Sequence, residues 1–248
     1  MRSEKILSEL MEGLLDFVYP RNIFCMLCGE AIQKTEEYSL CDECRGEIGF
    51  IHGKACSQCG KPLELLYLPD QCHDCIRSSY HFDRGLSCVL YDENMKKLIY
   101  RFKYGGDRYL SYSLAQIMTD QLKKAGWTDI DGIIPVPLHR KKEKIRGFNQ
   151  AKLLAQYISK FTGIPVYHKV LKRVKETQSQ SALSRDERKD NLKNAFQLIE
   201  PAAIYNKRIL LIDDIYTTGS TLNSCSKELR KGKPKEILVS TLAIGKNS

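Results

Sequence analysis

The stretch "RILLIDDIYTTGSTLNS", residues 208–224, joins a run of apolar residues to two adjacent acids and a turn rich in hydroxyl side chains. The apolar run, Ile209–Ile212, predicts a buried central strand with Asp213 and Asp214 at its carboxyl end. The hydroxyl-rich turn then leads into the N-terminus of a helix, where free backbone N–H groups and the helix dipole attract anions. We therefore predict that this corner binds a ligand that carries a phosphate group.

The side chains of the corner suit two halves of one ligand. Carboxylates accept hydrogen bonds from vicinal sugar hydroxyls and can lie near a magnesium ion. A phosphate on one side and a diol on the other describe a 5-phosphoribosyl group. A purely structural alternative is also open, namely a helix N-cap at Thr218 or Ser220 beside a solvated pair of acids. The residues assigned to the phosphate are Thr217, Thr218, Gly219, Ser220 and Thr221.

Strands alternate with helices on both sides of this corner. This alternation predicts an α/β fold with a mostly parallel sheet covered on both faces, and in such sheets ligands bind beyond the carboxyl ends of the strands. The predicted strands cover residues 85–91, 131–138, 165–173, 194–199, 207–214 and 236–244, and the predicted helices cover residues 93–106, 111–126, 149–163 and 220–232.

Eight of the ten cysteines form four C-x-x-C pairs before this region. The second two pairs repeat the first two with a shift of 31 residues, which indicates a tandem duplication. Four thiolates close the tetrahedral shell of a zinc ion, so we predict two structural zinc ions. Sequential pairing is the simplest; an interleaved arrangement, with Cys25/Cys28 and Cys56/Cys59 on one ion, is open. The ligands are Cys25, Cys28, Cys41, Cys44, Cys56, Cys59, Cys72 and Cys75.

Composition and charge describe a soluble protein of three parts. The 42% hydrophobic and 28% charged residues exclude a disordered chain, and no run approaches the roughly 18 apolar residues of a membrane span. We expect an amphipathic helix over residues 1–20, a zinc module over 21–80, an α/β domain over 81–248, and a cytoplasmic location. Residues 1–80 carry a net charge of −5 and residues 81–248 carry +14, so attraction to a polyanion is expected from the α/β part.

A basic cluster follows the Pro135-Val136-Pro137 turn, which ends a strand at the same sheet edge. With only Glu143 as a nearby acid, the cluster suits polyphosphate or nucleic-acid phosphates, although a solvated face is the alternative. Phe148 either stacks a base or packs as an apolar staple. The residues predicted to contact phosphates or nucleic acid are Lys103, Arg140, Lys141, Lys142, Lys144 and Arg146.

The quoted corner resembles the phosphoribosyl-pyrophosphate (PRPP) motif of type I phosphoribosyltransferases. The resemblance implies a type I core with a parallel sheet and a hood, in which Asp213 and Asp214 contact the ribose and the residues from Thr217 to Thr221 enclose the 5-phosphate. It also implies magnesium bound with PRPP. The strand end near Pro135 then corresponds to the pyrophosphate loop, formed by Val136, Pro137 and Leu138.

Three further segments and the double cysteine module resemble the ComF family. The segments are "FKYGGD" (102–107), "IPVPLHRKKEKIRGFNQA" (134–151) and "KRVKETQSQSALSRDERKDNLKNAF" (172–196). This resemblance implies a PRPP-binding protein of natural competence that handles single-stranded DNA, with residues 172–193 forming the mobile hood. Two alternatives are open. One is an active phosphoribosyltransferase with an unknown acceptor, and the other is a non-catalytic adaptor that docks a DNA-import helicase through its acidic zinc module.

Overall fold

The central strand of the structure is the one predicted from the quoted stretch. The structure is a computed structural model that describes residues 22–33, 36–176 and 192–245. Its four-stranded sheet has the order β1-β6-β5-β2, and each neighbouring pair is parallel. A separate antiparallel pair is formed by β3 and β4. The strands are β1 (Arg84–Leu90), β2 (Gly132–Pro135), β3 (Leu171–Arg173), β4 (Phe196–Leu198), β5 (Arg208–Tyr216) and β6 (Glu236–Ile244).

The helices separate consecutive strands of the main sheet, as a parallel sheet requires. The predicted α/β class with a mostly parallel sheet is therefore confirmed. Among the described residues, no helix has the length and apolar character needed to cross a membrane. The helices are α1 (Asp42–Glu47), α2 (His73–Ile76), α3 (Glu93–Tyr104), α4 (Leu110–Lys124), α5 (Arg140–Arg146), α6 (Gln150–Thr162) and α7 (Ser220–Leu229).

Strand β5 is buried on both faces because it lies between β6 and β2. Its residues Ile209–Ile212 have no exposed surface. Successive side chains of a strand point to opposite faces, so Leu210 and Ile212 enter one hydrophobic cluster and Ile209 and Leu211 enter the other. The continuous apolar run is therefore explained by two cores, one on each side of the sheet.

Three segments differ from the sequence prediction. Strand β5 continues past the acids to Tyr216, because Ile215 and Tyr216 still pair with β6. Residues 140–146, for which no helix was predicted, form helix α5, and this short helix ends at Gly147, which has a left-handed backbone. The strand predicted over residues 165–173 is wrong over most of its length. The chain makes a single bridge to β2 at Val166, then turns and forms only β3, which pairs with β4.

The predictions for residues 1–20 and for most of the hood fall outside the described residues. The amphipathic N-terminal helix lies before residue 22, and residues 177–191 of the hood segment are likewise not described. The described part of the hood segment is residues 172–176, which include the end of β3, and residues 192–193, which precede β4.

The duplication seen in the cysteine pairs is also present in the backbone. The bridge between Phe24 and Ala31 recurs, 31 residues later, between Ala55 and Pro62. Helices α1 and α2 each begin directly after the third cysteine of a repeat. We call the two units ribbon 1 (residues 22–50) and ribbon 2 (residues 51–80).

The ribbons pack into the two different cores. The buried cysteines of ribbon 1, Cys25 and Cys44, belong to the cluster that contains helices α3, α4 and α6. All four cysteines of ribbon 2 belong to the cluster that contains helix α7 and the β3–β4 pair. The duplicated units therefore cover opposite faces of the sheet near its β1 edge.

Ribbon 2 approaches the backbone of β1 closely. The Gly85 N–H donates to the Ser57 carbonyl at 3.0 Å, and the Ser87 hydroxyl donates to the Cys59 carbonyl at 2.9 Å. Gly60 makes this approach possible because a Cβ atom there would lie 2.2 Å from the Ser87 nitrogen. Gly29 is the equivalent residue of ribbon 1, and a Cβ atom there would meet nothing within 4 Å.

We predict that Gly60→Ala is far more destabilising than its matched control Gly29→Ala. Both glycines have a positive φ, so each substitution pays for a left-handed alanine, about 1 kcal/mol. Only Gly60→Ala also forces a side chain against backbone, which raises the loss to about 3 kcal/mol or more. Denaturant unfolding of both variants with zinc present measures the difference. Equal losses would contradict the close packing of ribbon 2 on β1.

Candidate functional site

A cavity of about 480 Å³ opens at the carboxyl ends of β5 and β2. The two strands are neighbours, so the acids of β5 and the turn after β2 lie at one edge of the sheet. Helix α3 and strand β3 form further walls. The predicted site residues that line the cavity are Lys103, Val136, Leu138, Lys142, Arg146, Asp213, Asp214, Thr217 and Thr221.

The adjacent acids have different surroundings. Asp214 is buried, and its carboxylate forms an ion pair with the Lys103 Nζ at 2.9 Å. The Asp213 carboxylate accepts the backbone N–H of Asp214 at 2.9 Å. Burial, followed by repulsion from Asp214, raises the pKa of Asp213 to about 7. Burial and mutual repulsion therefore make it unfavourable for both carboxylates to be charged. A bound diol or cation would relieve this repulsion.

The hydroxyl-rich turn leads into helix α7, and Thr218 and Ser220 contact each other within it. Gly219 is the N-cap of α7, has φ 71°, and provides no side-chain cap. A Cβ atom at Gly219 would lie 2.3 Å from the Tyr216 hydroxyl, so only glycine fits. The Thr218 hydroxyl accepts the Ser220 N–H at 3.4 Å, which realises part of the capping alternative. Thr217 and Thr221 line the cavity, whereas Thr218, Gly219 and Ser220 form the turn behind them.

The predicted basic cluster is divided by helix α5. Lys142 and Arg146 face the cavity, one helical turn apart. Arg140, Lys141 and Lys144 are exposed on the other side of the helix. Lys141 pairs with Glu176 at 2.6 Å, so the expectation that Glu143 is the only compensating acid is wrong. The chain segment after β3 supplies Glu176, which proximity in sequence could not reveal.

A buried cation outside the predicted basic cluster also belongs to the cavity. Arg173 of β3 lines the cavity although only 9% of it is exposed. Its guanidinium carbon lies 5.4 Å from the ring centroid of Phe196 on β4. Burial lowers the pKa of Arg173, and burial together with the charges of Arg173 and Arg146 lowers the pKa of Lys142. These cations therefore share one poorly hydrated region opposite the acids.

Of the two roles considered for Phe148, base stacking and apolar packing, the structure shows packing. Only 7% of it is exposed, and its ring centroid lies 5.7 Å from that of Phe102. The Arg108 guanidinium lies over the ring at 4.8 Å. The following residue, Asn149, caps helix α6 and donates from its side chain to the Val136 carbonyl at 3.0 Å. Asn149 thereby holds the turn after β2, a role that we did not predict.

The cysteines form two separate groups of four, and the ligand atoms within each group lie within 4.8 Å of one another. A tetrahedron of sulfurs around zinc, with bonds of about 2.3 Å, has edges of about 3.8 Å. Cys28 and Cys41 are separated by 3.8 Å at their sulfurs, and so are Cys59 and Cys72. Both groups thus fit a structural zinc ion with sequential pairing. The interleaved alternative does not fit, because the groups belong to opposite faces of the sheet.

Comparisons with known proteins agree with both parts of the chain. A family model described as a double zinc ribbon domain matches residues 14–76. Competence protein F of Haemophilus influenzae is 36% identical over 82% of this chain and 96% of that protein. Competence protein ComFC of Bacillus subtilis is 28% identical over 89% of this chain and 94% of that protein. The DNA utilization protein YhgH of Escherichia coli O6:H1 is 32% identical over 80% and 86%, respectively.

The structural neighbours of the chain include phosphoribosyltransferases. A purine phosphoribosyltransferase from Pyrococcus horikoshii is 20% identical, with 53% of this chain and 70% of that chain covered and a TM-score of 0.34.

We predict that zinc content follows the two groups of cysteines. Cys28→Ser/Cys41→Ser removes two ligands from one group, so the protein retains one zinc ion per chain. The matched variant Cys28→Ser/Cys59→Ser damages both groups and leaves little or no zinc. Metal analysis of the purified proteins measures both values. The reverse order of zinc contents would contradict sequential pairing.

We predict that Asp213→Asn flattens the pH dependence of stability around neutrality. A raised pKa means that the folded protein holds a proton that the unfolded chain releases, so stability is lost as pH rises through about 7. Between about pH 6 and pH 8 the wild type should lose about 1 kcal/mol relative to the variant. Denaturant unfolding at several pH values tests this, and parallel curves for the two proteins would refute it.

Proposed function

The chain belongs to the ComF family of competence proteins, and on this premise we propose that it binds PRPP in the cavity and handles single-stranded DNA during natural transformation. A role in competence is supported by relatives that are named for competence and for DNA utilization. The observation that carries the PRPP part is the meeting of paired acids, a helix N-terminus and several cations in one cavity.

Each part of PRPP has a counterpart in the cavity. The ribose hydroxyls would donate to Asp213 and Asp214, whose carboxylates need such donors because they lie side by side at the end of a buried strand. The 5-phosphate would accept from the first backbone N–H groups of α7 and from the hydroxyls of Thr217 and Thr221. This division uses the strand and the helix that flank the turn.

The pyrophosphate group would lie against the turn after β2 and the surrounding cations. Val136 and Leu138 line the cavity there, and Pro137 lies between them in the chain. Lys142 and Arg146 approach from α5, and Arg173 from β3. A pyrophosphate ester offers several anionic oxygens, and charge-assisted hydrogen bonds to such oxygens are the strong ones.

Lys103 would change partner when PRPP binds. Its ion pair with Asp214 occupies the carboxylate that the ribose is expected to contact. A lysine is a compact cation on a flexible stem, so it can move from the carboxylate to a phosphate oxygen. The exchange keeps Lys103 paired and frees Asp214 for the sugar.

Magnesium is proposed to accompany PRPP. A magnesium ion takes oxygen ligands and usually binds through one or two carboxylates together with substrate phosphates. Asp213 and Asp214 are the carboxylates that line the described cavity and would hold it. When bound, the ion neutralises charge on the pyrophosphate. Docking of a helicase through the zinc module, one of the alternatives drawn from the sequence, stays a prediction.

Calorimetric titration of PRPP with magnesium tests the proposal. We expect the wild type to bind and Asp213→Asn/Asp214→Asn to lose at least about 100-fold in affinity, because two charged acceptors are replaced by neutral ones. Asp129→Asn is a matched control, since Asp129 is exposed near the amino end of β5. Wild-type affinity in the double variant, or no binding by the wild type, would overturn the assignment.

A further inference from the structure

One face of helix α3 presents alternating cations and aromatic rings to the cavity. The residues are Lys96, Tyr100, Lys103 and Tyr104, spaced so that they follow one stripe of the helix. The opposite face of α3 is apolar and buried, with Met95, Leu98 and Phe102 in the core. The stripe is therefore the solvent side of an amphipathic helix, and a solvent side usually lacks large aromatic residues.

The two tyrosines are open at the mouth of the cavity. Tyr100 is 64% exposed and Tyr104 is 58% exposed. Their ring centroids lie 5.2 Å apart, at an interplanar angle of 49°. Rings this exposed add little to the hydrophobic core, so packing within the chain does not account for them.

Arg146, one of the cations that line the cavity, contacts Tyr104 of this stripe. The Arg146 guanidinium carbon lies 4.9 Å from the centroid of the Tyr104 ring. The same guanidinium donates to the Tyr104 hydroxyl at 3.0 Å and to the Gln150 side chain at 3.2 Å. Tyr104 is thereby held in place, and it supports the ring of Tyr100 beside it.

We propose that Tyr100 and Tyr104 form a stacking surface for a nucleobase at the mouth of the cavity. Aromatic side chains among basic residues stack bases of any sequence, while the cations bind the neighbouring phosphates. Lys96, Lys103 and Arg146 line the same cavity as the two rings. This surface replaces Phe148, which is buried, as the place where a base can stack.

The position of the surface deepens the proposed function and rests on it in part. Tyr104 directly follows Lys103, whose ammonium group lies 2.9 Å from Asp214. Tyr100, Tyr104 and Asp214 line the same cavity, so a base on this surface would share that cavity with a bound phosphoribosyl group. The base could belong to a single DNA strand or be a free base, and these two sources share the same stacking chemistry.

The test uses Tyr100→Leu, which removes the aromatic face and keeps an apolar side chain. Fluorescence anisotropy compares a labelled oligothymidylate with an abasic strand of equal length. We expect Tyr100→Leu to weaken oligothymidylate binding about tenfold, since one stacked base is lost, with little change for the abasic strand. Tyr100→Trp should restore the affinity. Tyr205→Leu is the matched control, because Tyr205 is also 64% exposed and lies outside the cavity lining.

A second arm identifies the source of the base. Equilibrium dialysis of labelled adenine and of labelled thymine, each with PRPP present, measures free-base binding by the same variants. A selective loss in the strand arm assigns the surface to DNA, and a loss in the dialysis arm assigns it to a free base. Unchanged binding in both arms, an equal loss for the abasic strand, or no binding of any of these ligands by the wild type would overturn the proposal. The PRPP titration is read separately, so its failure would leave the strand result standing.

Discussion

The burial of β5 between two parallel neighbours is the constraint on which the rest of the structure depends. The apolar residues Ile209–Ile212 have no exposed surface, and they bring Asp213 and Asp214 to the edge of two hydrophobic cores. One acid is neutralised by Lys103 and the other has its pKa raised to about 7. The protein keeps an electrostatically unfavourable pair where an apolar residue would stabilise it more, which is typical of a functional site.

The zinc ribbons are part of the same construction. Each ribbon places its buried cysteines in a different core, so each metal site helps to cover one face of the sheet. Metal binding to such sites contributes directly to the free energy of folding. The backbone approach at Gly60 and Gly85 then joins ribbon 2 to β1 without intervening side chains. The zinc ribbons therefore support the sheet at its β1 edge, whereas the cavity lies at the end of β2, the strand at the other edge.

The cations of the cavity come from three separate elements of the chain. Lys103 lies on α3, Lys142 and Arg146 lie on α5, and Arg173 lies on β3. Each is close to the acids only because the helices and the small antiparallel pair are packed around the same sheet edge. The aromatic stripe of α3 extends this charged region to the protein surface, so the interior site and the exposed rings form one continuous region.

Local patterns in the sequence were enough to predict several parts of the protein. The apolar run and acid pair of β5 mark a strand end, the hydroxyl-rich turn marks the start of a helix, and the cysteine spacing marks a metal site, because each pattern involves residues close in the chain. The three-dimensional structure was needed to learn which cysteines group together. It was also needed to see that Arg173 lines the cavity while Arg140 and Lys144 do not. It also decided that Phe148 is buried and Tyr100 is exposed. These outcomes depend on which helix face packs against the sheet and on contacts between distant segments, such as Lys141 with Glu176, and such contacts leave no periodic signal in the sequence.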